Sequence, residues 1–473
     1  MLKTGSIKVM TVLRRALFAV LLLCGRLTSA GAEWPEVALT PEDRVLILAP
    51  HPDDEVIATG GIIQQAVKQH IPVHVVFLTY GDNNEWSFMV YRHHPVLRST
   101  AVLGMGIVRH EEAMAADRVL GLSSNDLTFL GYPDFGTLHI WDSHWRDNPP
   151  FRSMLTRVTA VPYPSALHPG RAYKGENILA DIEDAIRSFK PTKIFVSHPA
   201  DQNPDHRALY LFTRVATWDL KPELTCKVFP YLVHFKDWPE VRGLKPSASL
   251  TPPEPLSQSV VWRVNPLTRE EIETKTKALR QHASQFAASG VYLESFVRQN
   301  ELFGEFPHEV LTYTALTNLV TLHKRGVVSP TNDQLTEEER AAFVGIETQR
   351  VRLLGDRLVE VLTFSRPLGK AVEASVYFFG YRPERPFAEM PKISVNIGEL
   401  EHKVYDQSKI ISADVRVTRT AREIEISVPL SVLGNPDRVL TSARTYLGDI
   451  PLDSVSWRVL EISDTVPTKT SNP

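Results

Sequence analysis

Cysteine is almost missing: the 473 residues hold only Cys24 and Cys226. If the N-terminal segment leaves, Cys226 stands alone, so no internal disulfide can form even at an oxidising destination. A lone cysteine is then read as a small buried hydrophobe. A membrane helix needs about 20 apolar residues, and the run Ala16 to Gly25 covers about half of that. There is no basic cluster. The formal charge is −3, and without an excess of Lys and Arg to neutralise phosphates nucleic acid is excluded as a partner. Internal repeats and low-complexity tracts are absent as well. What remains is ordinary globular composition, 43% hydrophobic and 23% charged, with length for two or three domains.

The first 32 residues carry Lys3, Lys8, Arg14 and Arg15 and no acid, then the apolar run, then Ala30-Gly31-Ala32. That order reads as a secretory signal peptide cut near Ala32, which places the mature protein in a secreted or periplasmic compartment with no stable membrane insertion. Its loss removes five bases and takes the formal charge from −3 to −8.

From Arg44 onward short apolar runs alternate with helical patterns. Val45 to Leu48, Val73 to Leu78 and Lys193 to Ser197 read as buried strands, and Ile57 to Gln69, Glu111 to Leu120 and Ile178 to Phe189 as helices. This alternation predicts an α/β fold: a Rossmann-like, mostly parallel sheet covered by helices, with ligands bound beyond the carboxyl ends of the strands. Residues 236 to 268 read as a long excursion and Arg269 to Phe286 as one amphipathic helix. After Ala341 the period changes to two, as in Glu423 to Val428, and predicts an all-β sandwich. The expected organisation is a signal over 1–32, a first domain over 33–325, a linker over 326–340, a sandwich over 341–466 and a tail over 467–473.

Two clusters sit where chemistry would be. Pro50-His51-Pro52-Asp53-Asp54-Glu55 comes directly after the first strand, and Ser197-His198-Pro199-Ala200-Asp201-Gln202-Asn203-Pro204-Asp205-His206 after a later one. Either alone reads as a strand-end turn capping a helix. Together, two His/Asp-rich strand ends of one sheet can converge on one point. Two histidines and an aspartate are a ligand count that suits a catalytic zinc with an open position.

These segments resemble the PIG-L/LmbE-type zinc deacetylases, whose signatures read A-H-P-D-D-E and end in H-P-D-H. The likeness extends through Arg109-His110-Glu111-Glu112, Gly131-Tyr132-Pro133-Asp134, Lys277-Ala278-Leu279 and Ser284-Gln285, from roughly Arg44 to Phe306. It implies zinc, with iron as the alternative, held by His51, Asp54 and His206, and Asp53 as the base that takes a proton from the attacking water. It also implies sugar contacts from Arg109, Asp134 and Asp201, although Arg109 and Asp134 equally fit structural ion pairs. Asn203 stands where many members have a histidine, so it joins Asp53 in the catalytic set as a hydrogen-bond donor that cannot carry a proton. Three readings stay open there: Asp53 handles both transfers, His198 or another group substitutes, or activity is weakened. Trp86 and Trp141 are read as sugar-stacking or packing aromatics. The sandwich loosely resembles carbohydrate-binding modules.

These features point to an exported hydrolase removing an N-acetyl group from an N-acetylglucosamine-type sugar or glycoconjugate. The alternatives are a secreted glycan-binding protein with a decayed centre and a zinc amidase acting on a non-sugar amide.

Overall fold

The computed structural model describes residues 34–83, 98–312, 319–324, 335–448 and 450–463. The expected signal peptide, its cleavage site, Trp86 and the tail lie outside them. No described helix is long and apolar enough to cross a membrane.

The first layer is a seven-stranded sheet of β1 (Val45–Ala49), β2 (Val73–Thr79), β3 (Leu127–Tyr132), β4 (Lys193–Ser197), β5 (Lys227–Tyr231), β6 (Val261–Pro266) and β7 (Asn300–Glu305), in the order β3-β2-β1-β4-β5-β7-β6. The five strands from β3 to β5 are parallel, and β7 and β6 close the edge antiparallel. β1 reads VLILA and every residue is buried, as a strand covered by helices on both faces requires. The chain leaves β1 towards β2 and β3 on one side, then returns to β4 and β5 on the other. The β1/β4 boundary is therefore the point where strand order reverses, and the crevice for a ligand opens at its carboxyl end.

The helices are α1 (Asp54–Lys68), α2 (Ser99–Leu120), α3 (Thr137–Ser143), α4 (Gly175–Phe189), α5 (Pro204–Asp219), α6 (Arg269–Leu279) and α7 (Ala283–Glu294). Three departures from the sequence expectation have physical reasons. α2 begins twelve residues before Glu111, since its buried face includes Val102 and Met105. The single helix expected over Arg269 to Phe286 is two: α6 ends at Leu279, and His282, fully buried against Glu55, turns the chain into α7. The excursion over 236–268 hides β6, whose Trp262 and Asn265 are buried while Val261 and Arg263 face out.

Two further sheets pack face to face, most of their strands following α8 (Glu337–Ala342). One has the order β16-β17-β11-β10-β9, built from β9 (Val320–Lys324), β10 (Ile346–Leu354), β11 (Arg357–Phe364), β16 (Arg416–Arg419) and β17 (Glu423–Pro429). The other runs β15-β14-β13-β12-β18-β20-β8, with β19 beside β18. Its strands are β8 (Glu309–Thr312), β12 (Val372–Tyr381), β13 (Lys392–Ile397), β14 (His402–Asp406), β15 (Lys409–Ile411), β18 (Arg438–Leu447), β19 (Ile450–Ser454) and β20 (Arg458–Ser463). Their facing residues, among them Ile346, Val351, Leu362, Val376, Val395, Ile426 and Ala443, form one apolar core, as period-two patterning demands.

The expected boundary at 325 moves forward. β8 pairs with β20 and β9 with β10, so strands placed with the first domain belong to the sandwich. They are too short to announce their partners, which lie more than a hundred residues away for β8. Cys226 is a free, half-buried thiol.

Candidate active site

β1 ends at Ala49, and the next five residues make the site. Pro50 O accepts from Thr79 N and Thr79 Oγ1 at 3.1 and 3.0 Å, and Pro52 O accepts from Arg109 Nη2 at 2.9 Å. Asp53, at the N-cap of α1, has φ 144°, a strained backbone for a side-chain-bearing residue. It is held there by Glu55, whose Oε2 accepts from Asp53 N at 2.9 Å while Oε1 faces His282 Nε2 at 3.2 Å. The strain aims Asp53 and Asp54 in different directions.

Asp54 Oδ2 lies 3.1 Å from His51 Nδ1 and 3.1 Å from His206 Nε2, and the two nitrogens are 3.3 Å apart. Zinc bonds of about 2.1 Å at the tetrahedral angle separate neighbouring donors by about 3.4 Å, so this triangle has the dimensions of one face of such a site. The charge balance agrees. Asp53, Asp54, Asp134, Asp201 and Asp205 are all buried around the two rings with Arg109 as the nearby base, a surplus of negative charge that a divalent cation would offset. The same three residues form one of the His/Asp groups able to hold a metal.

Each ring is backed by carboxylate. His51 Nε2 faces Asp134 Oδ1 at 3.1 Å and Asp205 Oδ2 at 3.4 Å, and His206 Nδ1 faces Asp201 Oδ2 at 3.2 Å. Such partners fix which nitrogen is bare and raise its basicity. Burial alone would lower both histidines. The charge and hydrogen bonds of Asp134, Asp205 and Asp54 outweigh it and hold His51 well above its ordinary range, and Asp201 and Asp54 bring His206 to about 9. Asp54 itself is held far down, burial being overcome by His206 and His51.

Asp53 is different. Burial pushes its carboxyl up to about 6, against the pull of Arg109, whose Nη2 is 3.3 Å away, and with the help of Asp54. It lines a cavity of about 170 Å³ together with His51, Asp54, Ile57, Arg109, Asp134, Phe135, Asn203, His234, Gln285, Ser289, Tyr292 and Leu293. This is small against the roughly 300–1,000 Å³ of pockets that engulf a ligand.

The structure brings His51, Asp53, Asp54, Arg109, Asp134, Asn203 and His206 to one point and corrects two assignments. Asp201, expected at the substrate, is fully buried and does not reach the cavity. Its oxygens accept from Asn203 N, Val233 N and His234 N at 2.9, 3.0 and 2.8 Å, so it orients His206. Asp134 touches the cavity but spends Oδ1 on His51 and Oδ2 on Asn83 N at 3.0 Å. Arg109 gives Nη1 to Gly81 O at 2.9 Å and serves the Pro52-Asp53 turn. His198 is excluded as a proton carrier at the site: it is completely buried, its Nδ1 accepts from Ala200 N at 3.0 Å, and burial drives it down to about 3. Trp141 is fully buried as well and stacks on no sugar.

Asn203 is the N-cap of α5. Its Oδ1 accepts from Asp205 N at 2.8 Å, which leaves its amide hydrogens as the group for the cavity. Two contributors escaped the sequence reading. Asp205 accepts from Phe135 N and from Thr137 N and Oγ1. Its place inside N-P-D-H was a signal for it. His234 comes three residues after β5, lines the cavity, and packs edge-on against His206 at 4.9 Å and flat against Tyr292 at 5.9 Å. A strand-end histidine is its one trace in the sequence.

A family model described as PIG-L: GlcNAc-PI de-N-acetylase matches residues 46–217. A 1D-myo-inositol 2-acetamido-2-deoxy-alpha-D-glucopyranoside deacetylase 1 from Saccharopolyspora erythraea is 29% identical over 185 residues, 38% of this chain and 55% of the relative. A deacetylase of the same kind from Mycobacterium sp. is 32% identical over 131 residues, 28% and 37% of the two chains. A putative glucosamine-6-phosphate deaminase-like protein from Bacteroides thetaiotaomicron is 25% identical over 275 residues, 54% and 38%. The chain thus spans less than two thirds of the length of each of these relatives. Among solved structures, N,N'-diacetylchitobiose deacetylase from Pyrococcus horikoshii is 19% identical with a TM-score of 0.34, covering 55% of this chain and 82% of that one. The A40926 pseudoaglycone deacetylase Dbv21 is 16% identical with a TM-score of 0.36, over 55% and 96%. The family match encloses both motifs and every residue of the donor triangle, and residues 46–217 are similar to the PIG-L de-N-acetylase family.

Proposed function

We propose that this chain is a metal-dependent hydrolase that removes the N-acetyl group from an N-acetylglucosamine-type sugar or glycoconjugate, acting outside the cytoplasm once residues 1–32 are gone. The observation that carries the proposal is the triangle of His51 Nδ1, Asp54 Oδ2 and His206 Nε2, 3.1–3.3 Å on a side, beside Asp53 in the wall of a small cavity. The relatives' names supply the substrate class.

His51, Asp54 and His206 would hold the ion, zinc or iron, since both accept this ligand set. Bound there, it supplies Lewis acidity to the amide carbonyl and makes water a stronger acid. The rest falls to the chain. Asp53 takes the proton as the oxygen of water bonds to the carbonyl carbon. The C–N bond breaks, the proton returns to the amine, and acetate leaves. A carboxyl pushed up to about 6 suits both halves of that exchange at neutral pH. The amide of Asn203 donates towards the carbonyl oxygen as charge builds on it. Arg109 and Glu55 hold Asp53 in its strained place.

The test is metal content and acetate release by residues 33–473 on a panel of N-acetylated sugars and glycoconjugates. Asp53→Asn retains the metal and loses about 10²- to 10⁴-fold in kcat, the usual worth of a positioned base. Acetate release that survives this substitution, or a chain that takes up no divalent ion, overturns the mechanism. Glycan binding without turnover marks a binding protein instead.

A further inference from the structure

Besides the contact of Tyr381 with Asp219 at the far end of α5, the sandwich approaches the metal centre through one short helix. α3 has seven residues, too few to be stable by itself, so its place is set by what packs on it. At its start Phe135 N, Thr137 N and Thr137 Oγ1 all donate to Asp205, whose Oδ2 faces His51 Nε2 at 3.4 Å. Its far side belongs to the sandwich. Trp141 stacks on Phe379 and Phe387 at 5.7 and 5.2 Å and meets Trp457 edge-on at 6.3 Å. Asp142 pairs with Arg444 of β18 at 3.1 Å. Two residues past the helix, Trp145 N donates to Gln407 Oε1 at 3.0 Å, and the Lys392 ammonium lies 4.7 Å from the Trp145 ring. From the first domain, Phe212 of α5 meets Trp141 edge-on at 5.0 Å.

We infer that the sandwich is a positioning element of the metal centre, acting through Trp141 and Asp142 on α3 and through Asp205 on His51. It rests on the reading of His51, Asp54 and His206 as ligands. The residues that a separable glycan-binding module would leave outside its interface are here spent on α3: Phe379, Phe387, Trp457 and Arg444 are buried or nearly so against the helix. The aromatic stack fixes where α3 lies, the ion pair fixes its rotation, and the three bonds to Asp205 pass that placement to the ring of His51.

The experiment measures zinc affinity of the full chain by competition with a chromophoric chelator, beside the melting temperature without zinc. Trp457→Ala breaks the stack from the sandwich side and Asp142→Asn breaks the ion pair at constant volume. Each is expected to weaken zinc binding about tenfold, the lower end of what loss of a ligand's supporting partner costs. Ile426→Ala, in the core between the two sandwich sheets, lowers the melting temperature and leaves zinc affinity unchanged. If Trp457→Ala does not fold, Asp142→Asn decides alone. Unchanged affinity in the folded α3 variants overturns the inference, and so does an equal loss in Ile426→Ala, which would be mere destabilisation. An unaltered chain that binds no divalent ion refutes the proposed function, and this inference falls with it.

Discussion

Replacing Asp201 by asparagine keeps the shape and removes the charge, at a cost set by its four neighbours. Asp201 Oδ2 accepts from Val233 N and His234 N at 3.0 and 2.8 Å and faces His206 Nδ1 at 3.2 Å, while Oδ1 accepts from Asn203 N at 2.9 Å. An amide has one accepting oxygen. Whichever way it turns, its NH₂ meets a backbone N–H or the ring N–H that backs His206, and a buried donor goes unmet at about 1–3 kcal/mol. The charge that raises the basicity of His206 is lost too. Loss of such a partner weakens metal affinity about 10- to 100-fold, or about 1.4–2.7 kcal/mol, the same range reached from the other side. Chelator competition should therefore show zinc affinity falling by that factor in Asp201→Asn, with kcat recovering at saturating zinc and KM little changed. A rise in KM at unaltered zinc affinity would restore Asp201 to the substrate and refute the argument that it works through His206.

Glu360 is buried between Gln349 Nε2 and Thr441 Oγ1, each donating at 2.8 Å, and burial pushes it from 4.5 up to about 7. The folded state then favours the protonated form, so its stabilisation is complete below pH 4.5 and is lost as pH rises through 7, about 3 kcal/mol in all. In denaturant titrations Glu360→Gln should gain stability over the native chain increasingly between pH 5 and about 8, and a constant difference would contradict the burial argument. Gly81 has φ +64° and its missing Cβ would run into the guanidinium of Arg109, so Gly81→Ala should cost about 1–2 kcal/mol of stability for the backbone and about 10²-fold in kcat by displacing Arg109 from Asp53; a lowered melting temperature with full kcat would separate Arg109 from catalysis. His234→Ala should lose about tenfold in kcat, less than Asp53→Asn, because burial drives His234 down to about 4 and leaves it neutral at working pH, where it is a poor proton donor; a loss equal to that of Asp53→Asn would make it the second proton carrier.

The donor triangle of His51, Asp54 and His206 was legible because its residues come after strands that announce themselves. Val45 to Leu48 and Lys193 to Ser197 are apolar runs, and the residues just beyond such strands in a parallel sheet lie at the carboxyl edge. The direction in which a side chain points once there was not legible. Asp201 belongs to the same cluster as His206 and Asp134 follows β3, and it is the backbone donors of Asn83, Asn203, Val233 and His234, with the ring of His51, that turn their oxygens away from a substrate. His234 comes after β5, whose Lys227 and Val228 are exposed or half-buried, so the strand that carries it had a weaker signal. β8 and β9 went to the wrong domain because four or five residues of period two fix a strand and not its partner. Trp141 reads the same in a loop, at a sugar or against a second domain until the second domain's aromatics are in place.

Asn203 is better weighed by what it does than by what it replaces. An asparagine is among the strongest N-caps, and Pro204 stands beside it at the first helical position, where its missing N–H costs nothing. By accepting from Asp205 N, Asn203 starts α5 at the residue whose carboxylate holds both α3 and His51. A histidine at this position could move a proton and would cap the helix less well, worth about 1 kcal/mol at the base of the proposed metal site. The two demands compete for one side chain. With asparagine the chain keeps the cap, and through it the placement of His51, and in the proposed mechanism proton exchange falls to Asp53, which burial has already brought to about 6. A decayed centre would have no reason to keep every carboxylate behind its histidines hydrogen-bonded. Here Asp134, Asp201 and Asp205 each accept backbone hydrogen bonds, and the departure from the family pattern falls on the one residue whose second task, capping α5, asparagine performs better.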